Sequence, residues 1–144
     1  MIGIDCPEFK DSERNKKNAE RLGIDLAHYE SYAQKAKEFV ELGTKGQRIY
    51  LLVDRKNAPD YVDKYGRILA RVMIQKQGYD DVKDLRAWDE MSMEMINSKG
   101  EVALNQTIVY SGYCPVYERF DFTAKDKFLE LQQDAKANKR GLWK

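Results

Sequence analysis

Apolar positions along the chain fall into two periods. Between 28 and 42, Tyr29, Tyr32, Ala33, Ala36, Phe39 and Val40 recur at i, i+3, i+4 and i+7. That spacing predicts an amphipathic helix, with Gly43 at its C-terminal cap. Phe128, Leu131 and Ala135 mark one face of a second helix over 123–139. Leu104, Thr107 and Ile108 predict a shorter one within 102–111, ended by Gly112. Runs of β-formers predict strands over 48–54 (Ile49, Tyr50, Leu51, Leu52, Val53) and over 68–74 (Ile68, Leu69, Val72, Met73, Ile74). Residues 2–4 read as the end of a strand, and Met91, Met93 and Met95 alternate at the strand period. Turns are marked by Pro7 in 5–9, by Asn57 and Pro59 in 55–62, by Gly66 in 63–67 and by Gly100 in 97–100.

Two segments break the pattern. Residues 10–27 carry Lys10, Asp11, Glu13, Arg14, Lys16, Lys17, Glu20 and Arg21. They read as a loop or a short exposed helix ending near Gly23, with a solvated face. Residues 75–90 are polar again, with a short helix through Val82, Leu85 and Trp88. The order of strands and helices is α+β, in one domain over 1–144. A small curved or barrel-like sheet with helices against it buries these faces.

Composition narrows the classes. The 144 residues hold 25 Lys and Arg against 24 Asp and Glu, a net charge of +1. This balance argues against a strongly basic nucleic-acid binder and leaves room for a local basic patch. An aromatic content of 11% with only 3 Pro and 9 Gly excludes a disordered chain. No apolar run reaches the about 18–20 residues of a membrane-spanning helix, and no secretory signal pattern is visible. The two cysteines, Cys6 and Cys114, either form one bridge or stay free. Without CxxC spacing they argue against zinc. His28 is the one histidine, read as a surface residue, so chemistry needing two is excluded.

Three constellations carry candidate chemistry. In Asp5-Cys6-Pro7-Glu8 a rigid turn is able to point two carboxylates into one cleft, one toward a hard cation and one toward a water as general base. The plainer reading is a turn aspartate beside an exposed glutamate. In Asp63-Lys64-Tyr65-Gly66-Arg67, two cations and a phenol around a glycine turn suit a phosphate; the plainer reading is a charged hairpin. Tyr110, Tyr113, Tyr117 and Phe120 either stack unpaired bases or belong to the core.

Taken with Leu104-Asn105, Gly112-Tyr113, Val116-Tyr117 and the ending Arg140-Gly141-Leu142-Trp143, these stretches resemble the staphylococcal-nuclease-like (thermonuclease) family. The resemblance implies an OB-type barrel with about three helices and Ca²⁺-dependent hydrolysis of phosphodiester bonds in DNA and RNA, preferably single-stranded. It places Asp5 and the backbone carbonyl of Cys6 on the metal, Cys6 standing where the family often has Thr. Glu8 matches the general base and Arg67 the arginine that binds the scissile phosphate. Lys64 and Tyr65 match contacts to a terminal phosphate, and Tyr113 and Tyr117 fall near nucleotide-contacting tyrosines.

The chain also departs from the family pattern. A second aspartate ligand and a second phosphate-binding arginine, both upstream in the family, have no counterpart among these residues. The expectation is therefore a barrel shortened on its N-terminal side, weak Ca²⁺ binding, and activity that is weakened or lost. A non-catalytic nucleic-acid-binding or protein-interaction module on the same fold is the alternative. An incomplete barrel exposes strand edges, which predicts a homodimer. Family members are often exported, but these residues give no localisation.

Overall fold

The structure, a computed structural model, describes residues 1–10, 12–54, 56, 61–75, 97 and 99–144. Helix α1 (Glu13–Leu22) starts at Ser12, whose side chain accepts a hydrogen bond from the Asn15 amide, and ends at Gly23 with φ 67°. Helix α2 (Leu26–Thr44) is capped by Asp25, which accepts from the His28 amide. Gly43, expected as its cap, is buried inside the last turn, and the chain leaves through Lys45. Left-handed geometry falls instead to Gly46 (φ 73°).

Strands β1 (Arg48–Val53), β2 (Ala70–Gln75) and β3 (Glu101–Ala103) form an antiparallel sheet in that order. Leu51 lies opposite Val72, and Met73 lies between Tyr50 and Ala103. Helix α3 (Leu104–Tyr110) follows β3 directly, then come α4 (Lys125–Ala137) and a 3₁₀ turn at Gly141–Trp143. The class is α+β, and among the described residues the sheet has three strands and is not closed. Among the described residues four α-helices stand where about three were expected, because Glu13–Leu22 of the charged segment forms α1. The expected helix in 75–90 and the Met91–Met95 strand lie outside the described residues, as do most of 55–60 and Ser98. No described helix is long and apolar enough to cross a membrane.

The solvated face expected for 10–27 is corrected: Asn15, Asn18 and Ala19 of α1 are buried. Likewise residues 2–4 make one isolated bridge, Ile4 to Val116, and not a strand. They are nonetheless firmly held. The Ile2 amide donates to Ala70 O (3.0 Å), the Asp5 amide to Pro115 O (2.9 Å) and the Tyr117 amide to Gly3 O (3.0 Å).

The main core joins Ile2 to Ala36 and Phe39 of α2, Ile74, Val102, Ile108, Val116, Phe122 and Phe128. A second cluster packs Ala19 of α1 on Tyr29, Tyr32 and Leu142. Gly3 sits where no side chain fits: at φ 79°, an added Cβ would lie 2.7 Å from the Phe122 ring. The open question of the cysteines is settled by a bond between Cys6 and Cys114, 108 residues apart in sequence.

Closing so long a loop removes freedom mainly from the unfolded chain, so the bridge is expected to contribute about 2–5 kcal/mol. The double substitution Cys6→Ser/Cys114→Ser should lower the urea midpoint accordingly. An unchanged midpoint would show that the bridge adds no stability.

Candidate active site

Asp5 is a carboxylate under the surface, its side chain 5% exposed. Its Oδ1 accepts from Arg14 Nη2, and its Oδ2 accepts from Asn18 Nδ2 at 3.0 Å. Tyr29 Oη donates to the Asp5 carbonyl at 3.2 Å. Burial first, and then the Asp5 charge, push the Tyr29 phenol up to about 12, so it stays protonated as a donor.

Glu8 is exposed, but its backbone is clamped. Its amide donates to Asn15 Oδ1 (2.9 Å), and its carbonyl accepts from Asn15 Nδ2 (3.0 Å). Its Oε1 accepts from Arg14 Nη1 at 3.4 Å. A single guanidinium therefore bridges Asp5 and Glu8. Burial works against the charge on Arg14, but Asp5 and then Glu8 outweigh it and raise its pKa.

The 63–67 hairpin is organised by Asp63. Its Oδ1 accepts from the amides of Tyr65 (2.8 Å) and Arg67 (3.0 Å), and its Oδ2 accepts from Arg67 Nε (2.6 Å). Gly66 supplies the left-handed residue (φ 75°) that lets the turn close. Partial burial opposes ionisation of Asp63, yet these backbone donors and the Arg67 guanidinium hold its carboxyl below its usual value. Tyr65 stands 69% exposed, with Lys64 and Arg67 near its ring.

These groups surround one cavity of about 620 Å³. Its walls carry Arg14, Lys17, Lys64, Arg67 and Arg119 against the carboxylates of Asp5, Glu13 and Asp63, with Tyr65 and Tyr117 beside them. An anion is what such a lining attracts. The cavity thus brings together Asp5, Lys64, Tyr65, Arg67 and Tyr117 of the sequence-predicted residues. Glu8 connects to it through Arg14 and does not itself line it.

Cys6 is bonded to Cys114 through its sulfur, which leaves its backbone carbonyl, the atom expected at the metal, untouched, and Cys6 does not line the cavity. Tyr113 lies outside the cavity lining. Its half-buried ring packs 4.8 Å from Phe39 and 5.8 Å from Tyr32, where it joins the two apolar clusters.

The donor set does not fit a calcium ion as arranged. Ca²⁺ takes six to eight oxygens. Both Asp5 oxygens and one of Glu8 are engaged by Arg14 and Asn18, and a guanidinium already stands at the carboxylates. Among the described residues there is no group of three or more His, Cys, Asp or Glu able to hold a metal.

Sequence reasoning missed Arg14, Asn15, Asn18 and Arg119. The available signal was the pair Asn15 and Asn18 beside Ala19, a helical face made of polar but short side chains.

The family model described as staphylococcal nuclease homologue matches residues 1–144. The chain is 28% identical over 148 residues to "Uncharacterized protein MJ1439" of Methanocaldococcus jannaschii, covering 99% of this chain and 59% of that protein. The chain thus spans about three-fifths of the length of this relative.

A carboxyl held below its unfolded value steadies its turn above about pH 4, and that contribution is lost as pH falls through the folded midpoint. The amide resonances of Tyr65 and Arg67 should therefore shift together on acidification, with a midpoint below about 3.9, the ordinary aspartate value. A midpoint at or above that value would show that Asp63 does not hold Arg67 in solution.

Proposed function

Since the chain belongs to the staphylococcal nuclease homologue family, we propose that its cavity binds the phosphodiester backbone of DNA or RNA. The observation that carries this reading is Arg67, forked onto Asp63 and presented with Lys64 to a cavity whose cations outnumber its carboxylates. Arg67 would take the scissile phosphate, and Lys64 and Tyr65 a neighbouring one. The exposed ring of Tyr65 and that of Tyr117 offer stacking faces, which favours single strands, whose bases are free to stack.

Hydrolysis is the second part of the proposal. Glu8, which stands beside the cavity and is held by Arg14, would have to turn from Arg14 toward the phosphate to accept a proton from the water that attacks phosphorus. Arg67 would neutralise the charge growing on the phosphoryl oxygens as the bond to the leaving oxygen breaks. Family members generally use Ca²⁺, but the donors present in this chain do not fit one as they are arranged. Turnover is slow in this reading, since Asp5 and Glu8 are both engaged by Arg14. That engagement also favours the second reading, a nucleic-acid-binding module without catalysis.

Titration of a labelled single-stranded oligonucleotide at two salt concentrations tests the binding. Arg67→Ala and Lys64→Ala should each weaken it, by about tenfold for Arg67, and lower the salt slope by about one. Binding that ignores salt, or that Arg67→Ala leaves intact, would overturn the proposal. Any cleavage should disappear in Glu8→Gln, and cleavage that survives removes Glu8 as the base.

A second copy of the chain is the further partner in this reading. Strand β1 is one of the two outer strands of the described sheet, with Ile49, Leu51, Leu52 and Val53 exposed. Edge pairing between copies should give a dimer whose fraction rises with concentration in sedimentation velocity. A monomer at every concentration would exclude it.

A further inference from the structure

We propose that Arg14 is a resident cation of the site, occupying with its guanidinium the position between Asp5 and Glu8 that a divalent ion would need. The cavity then binds phosphodiesters without a metal. The anion-binding half of this inference rests on the function proposed above; the cation half does not.

Three observations carry it. The first is the fork: Nη2 of Arg14 meets Asp5 Oδ1, and Nη1 meets Glu8 Oε1, one nitrogen for each carboxylate. The second is how firmly the fork is mounted. Arg14 belongs to the first turn of α1, capped by Ser12, and its neighbour Asn15 clamps the Glu8 backbone from both sides. Asn18, one turn on, takes the remaining Asp5 oxygen. The third is exposure: the Asp5 side chain is 5% exposed and that of Arg14 48%. The carboxylate has left water and needs a fixed counter-charge. The cation that supplies it is about half exposed and is among the residues that line the cavity.

A guanidinium carries five N–H donors. Two are spent on the carboxylates, and the others remain for a phosphate oxygen. A calcium ion at the same oxygens would face the undiminished charge of Arg14, because no accessible pH removes it.

Calorimetric titration of Ca²⁺ into the protein, with no nucleic acid present, tests the cation half. The wild type should show no binding up to about 1 mM, the weak end of the range for dedicated calcium sites. Arg14→Gln removes the guanidinium from Asp5 Oδ1 and Glu8 Oε1, leaving Asn18 on Asp5 Oδ2, and should bind Ca²⁺ at least about tenfold more tightly, the gain expected from removing one adjacent like charge. Arg14→Lys keeps the charge and should remain blind to calcium.

For the anion half, wild-type oligonucleotide binding should be equal in Ca²⁺ and in chelator. Arg14→Gln should bind more weakly in chelator and recover with Ca²⁺. Sub-millimolar Ca²⁺ binding by the wild type, or by Arg14→Lys, would overturn the inference. So would a folded Arg14→Gln protein, judged by circular dichroism, that gains no calcium affinity. If Arg14→Gln does not fold, the wild-type and Arg14→Lys titrations decide. Should no variant bind oligonucleotide at all, the proposed function fails while the calcium titrations still judge Arg14.

Discussion

A carboxylate withdrawn from water must be met by donors that cannot move away, and Asp5 places that demand at the meeting point of three parts of the chain. Arg14 and Asn18 meet it from α1, and Tyr29 supports the backbone beside it from α2. Asn18 is also 3.4 Å from the Tyr29 hydroxyl, so the two helices share one polar network around the charge. Removing a partner from a buried charge costs about 3–5 kcal/mol, and less where that partner is half exposed as Arg14 is. The position of α1 therefore follows from electrostatics as much as from the contact of Ala19 with Tyr29 and Tyr32.

That demand has force only if Asp5 itself is fixed, and several independent devices fix it. The bond from Cys6 to Cys114 ties the next residue to the loop after α3. Asn105, fully buried, donates to Ile2 O at 2.7 Å and accepts from the Val72 amide at 2.9 Å, joining the segment to β2 through one side chain. At Gly3 the rings of Phe122 and Phe128 close over a backbone with no Cβ. A segment with one isolated bridge would fray if hydrogen bonding alone held it. Here a covalent link, a buried amide and a close-packed glycine hold it instead.

The same physics decides what could be read from the sequence. Helices α2 and α4 were legible because apolar side chains face the core at the helical period, and β1 and β2 because β-formers cluster there. The Asp63–Arg67 turn was legible as a turn, because Gly66 among polar neighbours marks a left-handed position. Helix α1 was not legible, because its buried face is Asn15, Asn18 and Ala19, and hydrogen bonds bury two of these three. A hydropathy pattern counts such residues as solvated. Tyr113 allowed two readings in the sequence, base stacking or core packing, because an amphipathic ring suits either; in the structure its half-buried ring meets Phe39. The cysteine pairing had no local signal, since 108 residues separate the partners.

Two arginines on the cavity wall are built in one way. Arg67 is forked onto Asp63, and Arg14 onto Asp5 and Glu8. An arginine so held has already lost its side-chain freedom on folding, so less is lost when an anion arrives. Its carboxylate partner cancels most of its long-range field, however, and an arginine paired in this way orients a phosphate better than it attracts one. Attraction at a distance then falls to the lysines of the wall, Lys17 and Lys64, with Arg119. Such a division of labour would let a chain with a net charge of only +1 serve the proposed anion site without an overall basic surface. Composition gave no sign of the cavity because Arg14 and Arg67 are matched by carboxylates there, and the further cations of the wall are offset by acidic residues elsewhere in the chain.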